Sequence, residues 1–303
     1  MDRIYFENET LMSDALQLEC MRRQYMENPM SLLEVNEEDA KRITSSIVKF
    51  LKDYTLESNT KGYVIGLSGG IDSSVSAALA VKAVGKENVY GMLLSSKFTA
   101  QSHIDDALLL AKNIGIEVNN HEIVKENFDN VIELTMKMTG IDETHPGYKL
   151  ILGNNHARER MKILRGKAAS LKSLVLGTTN LTEAWLGYAT IAGDGYKGVD
   201  IEPIQRLPKT SERMYARLIG IPEQIITKAP TAGLWEGQTD EGEIGMSYED
   251  IDRVMTGYYL WLEASDIIKA NNKPTITKET IENVVERVKA NEFKARPEPS
   301  ARL

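Results

Sequence analysis

An uninterrupted apolar run, Tyr63-Val64-Ile65-Gly66-Leu67, leads directly into Ser68-Gly69-Gly70-Ile71-Asp72-Ser73-Ser74, and a helix-forming stretch continues from there to Val84. A strand that passes through two glycines into a helix forms a strand–turn–helix unit, which limits the chain to folds built from such units. Gly69 and Gly70 permit positive φ angles and close approach to the backbone. The helix start behind them brings unsatisfied N–H groups and the positive end of the helix dipole to the same point. Ser68, Ser73 and Ser74 add hydroxyl donors, so the loop suits a polyphosphate. Asp72 at the helix start either caps the helix or holds a Mg2+ bridging the phosphates. Two other nucleotide loops are excluded. No lysine follows Gly70 as a Walker loop requires, and Gly66 to Gly70 lacks the GxGxxG spacing.

The same alternation continues downstream. Strands are predicted at Val89–Leu94, Ile116–Val118 and Ser173–Gly177, and helices at Asp72–Val84, Ser102–Asn113, Lys125–Met138 and Asn154–Ser170. The fold class is therefore α/β, a doubly wound parallel sheet covered by helices on both faces. Beyond Pro203 helices predominate, at about 209–218, 222–226, 247–262 and 278–290, and the stretch from Gly233 to Gly245 has no periodicity. Upstream, Ala40, Ile43, Ile47, Phe50 and Leu51 recur at helical spacing behind the acidic start Glu37-Glu38-Asp39. An earlier helix, about Leu11 to Met26, offers Met12, Leu16, Leu18 and Met21 to the core or to a partner subunit. With no repeat and no low-complexity linker, the expectation is one domain over 1–303: a helical N-terminal extension at 1–60, and a catalytic core with a helical C-terminus at 61–303.

Composition narrows the function. The chain has 303 residues, 42% hydrophobic and 26% charged, with a formal net charge of -8. That balance suits a soluble globular protein and argues against nucleic-acid binding, which draws on clustered lysines and arginines. No segment has the roughly 18 apolar residues of a membrane span, and the start has no signal-peptide pattern; the expected location is cytoplasmic. Cys20 is the single cysteine, which rules out an internal disulfide, a Cys-rich zinc site or a CxxC pair; it reads as a small core residue. His103, His121, His145 and His156 have no metal-ligand spacing and read as solvated or capping.

The string SGGxDS resembles the pyrophosphatase loop of the N-type ATP-pyrophosphatases, which split ATP between the α and β phosphates and activate a carbonyl or carboxylate oxygen as an adenylate. The single cysteine weighs against the tRNA-thiolating members, and Cys20 lies in a context unlike a glutaminase nucleophile. Further strings are similar to those of the NAD synthetases. They are Leu94-Ser95-Ser96-Lys97, with Ser102 and Asp105-Asp106-Ala107 downstream; Gly153-Asn154-Asn155-His156-Ala157-Arg158-Glu159-Arg160-Met161; Leu176 through Glu183 (LGTTNLTE); Gly193-Asp194-Gly195; Pro230 through Gly245; and, loosely, Phe293-Lys294-Ala295-Arg296-Pro297. The likeness spans about Asp39 to Pro297 and implies the ammonia-dependent branch of that family, with an adenine-nucleotide alpha hydrolase-like fold.

The resemblance implies ATP as co-substrate, Mg2+ as cofactor, and deamido-NAD and ammonia as the other reactants, the ammonia free or supplied by a separate glutaminase subunit. It also implies a homodimer whose substrate site lies at the subunit interface. ATP would be bound by Ser68 through Ser74 (Ser68, Gly69, Gly70, Ile71, Asp72, Ser73, Ser74), Leu94, Thr178 and Thr231, and the metal by Asp72 and Glu183. Thr178 is also a candidate N-cap for a helix beginning near Asn180. Asp194 would receive ammonium and help take its proton, while Lys209 offsets charge on the pentavalent phosphate. Arg158, Asp200 and Lys294 would bind deamido-NAD. Arg158 is preferred over Arg160, because helix residues two apart face different ways. Trp235 either contacts the ligand or anchors its own loop.

One stretch departs from the family pattern. Where GYFTKYGDG is usual, this chain reads Gly187-Tyr188-Ala189-Thr190-Ile191-Ala192-Gly193-Asp194-Gly195, so Ala189 and Ile191 stand in place of an aromatic and a lysine. Tyr196-Lys197-Gly198 then follows, with a two-residue insertion beside Asp194, and Lys197 is a candidate replacement for the missing lysine. These changes lie on the acceptor side and leave the ATP side intact.

Overall fold

In the computed structural model, residues 15–231 and 239–296 are described. Four parallel strands, β1 (Tyr63–Gly66), β2 (Val89–Met92), β3 (Glu117–Val118) and β4 (Leu174–Leu176), form a sheet in the order β3-β2-β1-β4. Tyr63 pairs with Val89 on one side of β1 and with Leu174 on the other. A single parallel bridge, Leu176 to Ile201, extends the sheet beyond β4.

Alternation along β1 decides what covers each face. Tyr63 and Ile65 point into the larger core, formed with α2 (Glu37–Glu57), α3 (Ile71–Val84), α4 (Gln101–Ile114) and α8 (Lys209–Leu218). Val64 points the other way, onto Met161, Leu164 and Ala168 of α6 (Tyr148–Leu171). Helices thus cover both faces, as the strand–helix alternation requires. Helix α5 (His121–Thr139) packs outside α6 through Phe128, Ile132 and Met136.

The N-terminal helix α1 (Ala15–Glu27) turns back onto the C-terminal helices α11 (Tyr248–Tyr259) and α12 (Ala264–Asn271). Arg22 Nε donates to Leu260 O, and Tyr25 Oη donates to Arg253 O while accepting from Asn271 Nδ2. Cys20 on this helix is exposed, not a core residue. A separate apolar cluster joins α7 (Leu181–Leu186), α11, α12 and α13 (Lys278–Asn291) around Trp185, Ile251, Val254 and Ile281.

Several boundaries differ from expectation. Helix α6 begins at Tyr148, ahead of the predicted Asn154, and α5 at His121, ahead of the predicted Lys125. The helix predicted over 247–262 ends at Tyr259 because Trp261 adopts a left-handed φ of 64°, and α12 begins after it. The aperiodic 233–245 stretch contains a five-residue helix, α10 (Asp240–Ile244), capped by Thr239 accepting from Gly242 N. The Pro230–Gly245 motif falls partly outside the described residues, and Trp235 lies wholly outside them.

Candidate active site

The loop after β1 is bound mainly to itself. Ser68 and Ser73 share their hydroxyls at 3.1 Å, and Ser74 Oγ donates to Gly70 O at 2.7 Å. Gly69 has a φ of +74°, and a Cβ there would lie 2.1 Å from the carbonyl oxygen of His103; only glycine allows the loop to lie on the first turn of α4. Gly70 is the N-cap of α3 and makes no side-chain cap, and Asp72 sits within the first turn. The first-turn N–H groups are thus left for an external acceptor, and Asp72 is not the cap.

A cleft opens at this loop in two joined compartments. The larger, about 510 Å³, is lined by the ends of β1 and β2, Leu94, Phe98, Gly153, Ala157, Arg160 and Met161. The smaller, about 160 Å³, contains Asp72, Glu183, Lys209, Arg213, Lys228 and Asp240. Ser68, Ser73, His103, Thr178, Asp194 and Thr231 line both. The apolar compartment is the larger of the two, and the charged one adjoins it at the loop.

The charged compartment is built on Lys209, 1% exposed. Its Nζ donates to Asp72 Oδ2 and lies 3.4 Å from Glu212, which is wholly buried. Asp72 Oδ1 accepts from Asn180 Nδ2 at 2.7 Å. Asn180 also caps α7 in a reciprocal capping box with Glu183, so the cap is Asn180 and not Thr178. Burial alone would raise the pKa of Asp72, but Lys209 and the hydrogen bonds to Glu212, Lys209 and Asn180 bring it below the ordinary value. Glu183 goes the other way: burial, then the Asp72 charge, lift it well above the carboxylate range. Burial opposes the charge on Lys209, yet Asp72, Glu212 and Glu183 together raise its pKa. Neither Lys209 nor Glu183 is the solvated surface charge that its residue type suggests.

Most remaining site candidates can be placed. Leu94 lines the larger compartment, and its carbonyl accepts from Arg160 Nε at 2.9 Å. Asp194 is exposed on the rim and accepts from Thr190 N at 2.7 Å. Ser74 and Gly69 support the loop without lining the cleft. Arg158, Asp200 and Lys294 do not line it either. Arg158 is exposed and donates to Ile191 O at 3.3 Å. Asp200 accepts from Val175 N at 2.7 Å and pairs with Arg165. Lys294 Nζ donates to Gly187 O at 2.6 Å and also bonds Ala189 O, beside the cleft wall.

Several contributors carried no local signal. Glu202 accepts from both Thr179 N and Thr179 Oγ1, and burial pushes its carboxyl up to about 8. Asp240 accepts from Tyr248 Oη and Tyr188 Oη. His156, expected to be solvated or capping, is 1% exposed between Phe98 and Phe128. Among the described residues, no group of three or more His, Cys, Asp or Glu side chains is arranged to hold a metal. No helix among them is long and apolar enough to cross a membrane.

A family model for NAD synthase matches residues 43–298. The chain belongs to the NAD synthase family. The NH(3)-dependent NAD(+) synthetase of Methanocaldococcus jannaschii is 39% identical over 266 residues, covering 88% of this chain and 98% of that protein. That of Methanosarcina mazei is also 39% identical, covering 88% and 99%. Two solved structures extend the likeness. The NMN synthetase of Francisella tularensis has a TM-score of 0.72 at 29% identity, covering 87% of this chain and 99% of that one. The NH3-dependent NAD synthetase of Campylobacter jejuni, in complex with nitrate, has a TM-score of 0.67 at 26% identity, with the same coverage. The parallel sheet with helices on both faces is therefore the NAD synthase fold, and ATP is the nucleotide the family uses.

Proposed function

We propose that this chain amidates deamido-NAD to NAD, using ATP and ammonia. The observation that carries the reading is the convergence of the phosphate loop, Thr178, Thr231, the Asp72–Lys209 pair and Asp194 on one two-compartment cleft. A nicotinate carboxylate oxygen attacks the α-phosphorus of ATP, and the α–β phosphoanhydride bond breaks as pyrophosphate takes the electron pair. Ammonia then attacks the carbonyl carbon, the carbon–oxygen bond to AMP breaks, and Asp194 takes the proton lost by nitrogen. Lys209, held charged by its carboxylates, offsets the charge that builds on the phosphate.

Asp72 and Glu183 would hold Mg2+, as a few carboxylates and phosphate oxygens suit this ion. The donor set fits: both are hard oxygen ligands, and Glu183 is pushed toward its neutral form by burial and by Asp72, a cost that a nearby cation removes. When bound, the ion neutralises phosphate oxygens during transfer. Arg158, Asp200 and Lys294 would meet the far end of deamido-NAD in a homodimer. Supporting that assembly, Ile123, Leu134 and Met138 on α5 and Leu150 on α6 are 60%, 59%, 79% and 66% exposed. In this reading the chain is a single cytoplasmic catalytic unit that takes ammonia from solution or from a separate glutaminase subunit.

A second reading is favoured by Ala189 and Ile191, which remove an aromatic and a lysine from the acceptor side, and by the likeness to a structure named NMN synthetase. The same chemistry would then act on the smaller mononucleotide acid. Purified protein given ATP, Mg2+ and ammonium with each acid separately decides between them. Faster amide formation from deamido-NAD supports the first reading, faster formation from nicotinate mononucleotide establishes the second, and AMP from neither overturns both.

A further inference from the structure

Beside the phosphate loop, the smaller compartment has a further cation in its wall. Lys228 lines it, immediately before Ala229, Pro230 and Thr231, which line it as well. The Lys228 ammonium pairs with Asp106 of α4 and also reaches Ser102 O at 3.4 Å. Asp106 is 5% exposed, and its other oxygen accepts from Gln224 Nε2 at 2.5 Å, so the carboxylate is held on both sides. The link ties the 228–231 segment to the same helical turn on which the phosphate loop rests, because Gly69 packs against the backbone of His103. The His103 ring is hydrogen-bonded to the Ser68 backbone, and burial followed by the Lys228 charge holds its pKa below the usual value.

These groups lie where the outer phosphates must go. On the proposed reading, ATP with its base in the larger compartment would pass its α-phosphate by Thr178 and Asp194, which line both compartments, and its β and γ groups would extend past Ser68, Ser73 and His103 into the smaller one. Lys209 is already engaged by Asp72 and Glu212 on one wall. Lys228 is a second ammonium facing the same space, and its partner Asp106 lies behind it and does not line the cleft. A charge-assisted bond from such a pre-positioned lysine is among the stronger polar contacts available to a phosphate.

We propose that Lys228, positioned by Asp106 and Gln224, binds the outer phosphates of ATP and then the departing pyrophosphate. The proposal rests on the ATP-cleaving reading of the cleft and is independent of which acid is amidated. Asp106 and Gln224 are positioning residues, acting through Lys228.

The test separates pyrophosphate from AMP, which lacks the β and γ groups. Dissociation constants for inorganic pyrophosphate and for AMP, each with Mg2+, are measured on the whole chain by calorimetry. Lys228→Gln is expected to weaken pyrophosphate about tenfold and to leave AMP within about twofold, with Lys228→Arg recovering most of the loss. Removing the lysine alone leaves Asp106 uncompensated. The double variant Asp106→Asn with Lys228→Gln therefore repeats the measurement with both charges gone, and its thermal melting is followed alongside. Equal weakening of AMP and pyrophosphate, or unchanged pyrophosphate binding in the double variant, would overturn the proposal and leave the pair as a tether. Failure of the wild type to bind either ligand would instead overturn the ATP reading of the cleft.

Discussion

Asp72 and Lys209, 137 residues apart, meet as an ion pair on the wall of the phosphate cleft, with Asn180 holding the carboxylate's other oxygen and Glu212 beneath the ammonium. The pair joins the helix behind the phosphate loop to α8, so the residue proposed to meet the phosphate and the one proposed to meet the metal are placed by one contact. Replacing Lys209 by Met removes the cation on which Asp72, Glu212 and Glu183 act. The rate of AMP formation should fall by about 10²–10³-fold, whereas Lys209→Arg keeps the charge but not the fit and recovers only part of it. A Met variant with wild-type kcat would remove Lys209 from the chemistry.

Burial and the Asp72 charge both disfavour Glu183 as an anion. Glu183→Gln should leave the fold intact, since an amide can still accept the N-cap hydrogen bond from Asn180 N, while the Mg2+ concentration for half-maximal activity rises at least about tenfold. The readout is a Mg2+ titration at saturating ATP. An unchanged half-saturation would take Glu183 out of the metal site.

Gly69 has no room for a side chain: its φ is +74°, and a Cβ would stand 2.1 Å from the His103 carbonyl oxygen. Gly69→Ala should therefore displace the loop from α4, cost more than about 1 kcal/mol of stability, and weaken ATP binding in an equilibrium titration. Native-like melting together with native ATP affinity would contradict this account of the loop.

His156 sets an expected pH dependence of stability. Burial, then Arg160 and Lys97, lower its pKa from 6.5 to about 4. The unfolded chain therefore binds the proton more readily between those values. The neutral ring's contribution is fully present above about pH 6.5 and is lost as pH falls toward 4, amounting to about 2–3 kcal/mol. Denaturant melts at pH 7 and pH 4.5 should show this loss, and His156→Phe should flatten it. An equal pH slope in wild type and variant would rule out His156 as its origin.

Local chemistry made much of this site readable. The loop from Ser68 to Ser74 announces itself because strand, glycines and helix start are contiguous, and Glu183 follows its strand in the same manner. What stayed hidden was long-range. Glu202 meets Thr179 across 23 positions, and Lys228 meets Asp106 across 122; no local pattern encodes such pairs. Arg158 and Arg160 of α6 show a further limit. Spacing separates Arg158 from Arg160 but does not say which face meets the cleft, and in the structure Arg160 is the one that lines it. The break at Trp261 was hidden for a related reason: no Gly or Pro stands between 258 and 264, so its left-handed φ of 64° has no local sequence signal.

Adenylation of the acceptor carboxylate before amidation moves one carboxylate oxygen into AMP, and isotope transfer reads that movement. Deamido-NAD labelled with oxygen-18 in the nicotinate carboxylate is converted in the presence of ATP, Mg2+ and ammonium, and the products are weighed by mass spectrometry. The expected result is NAD with one labelled oxygen in its amide, AMP carrying the other, and unlabelled pyrophosphate. Label in inorganic phosphate together with ADP, or AMP released without label, would contradict it.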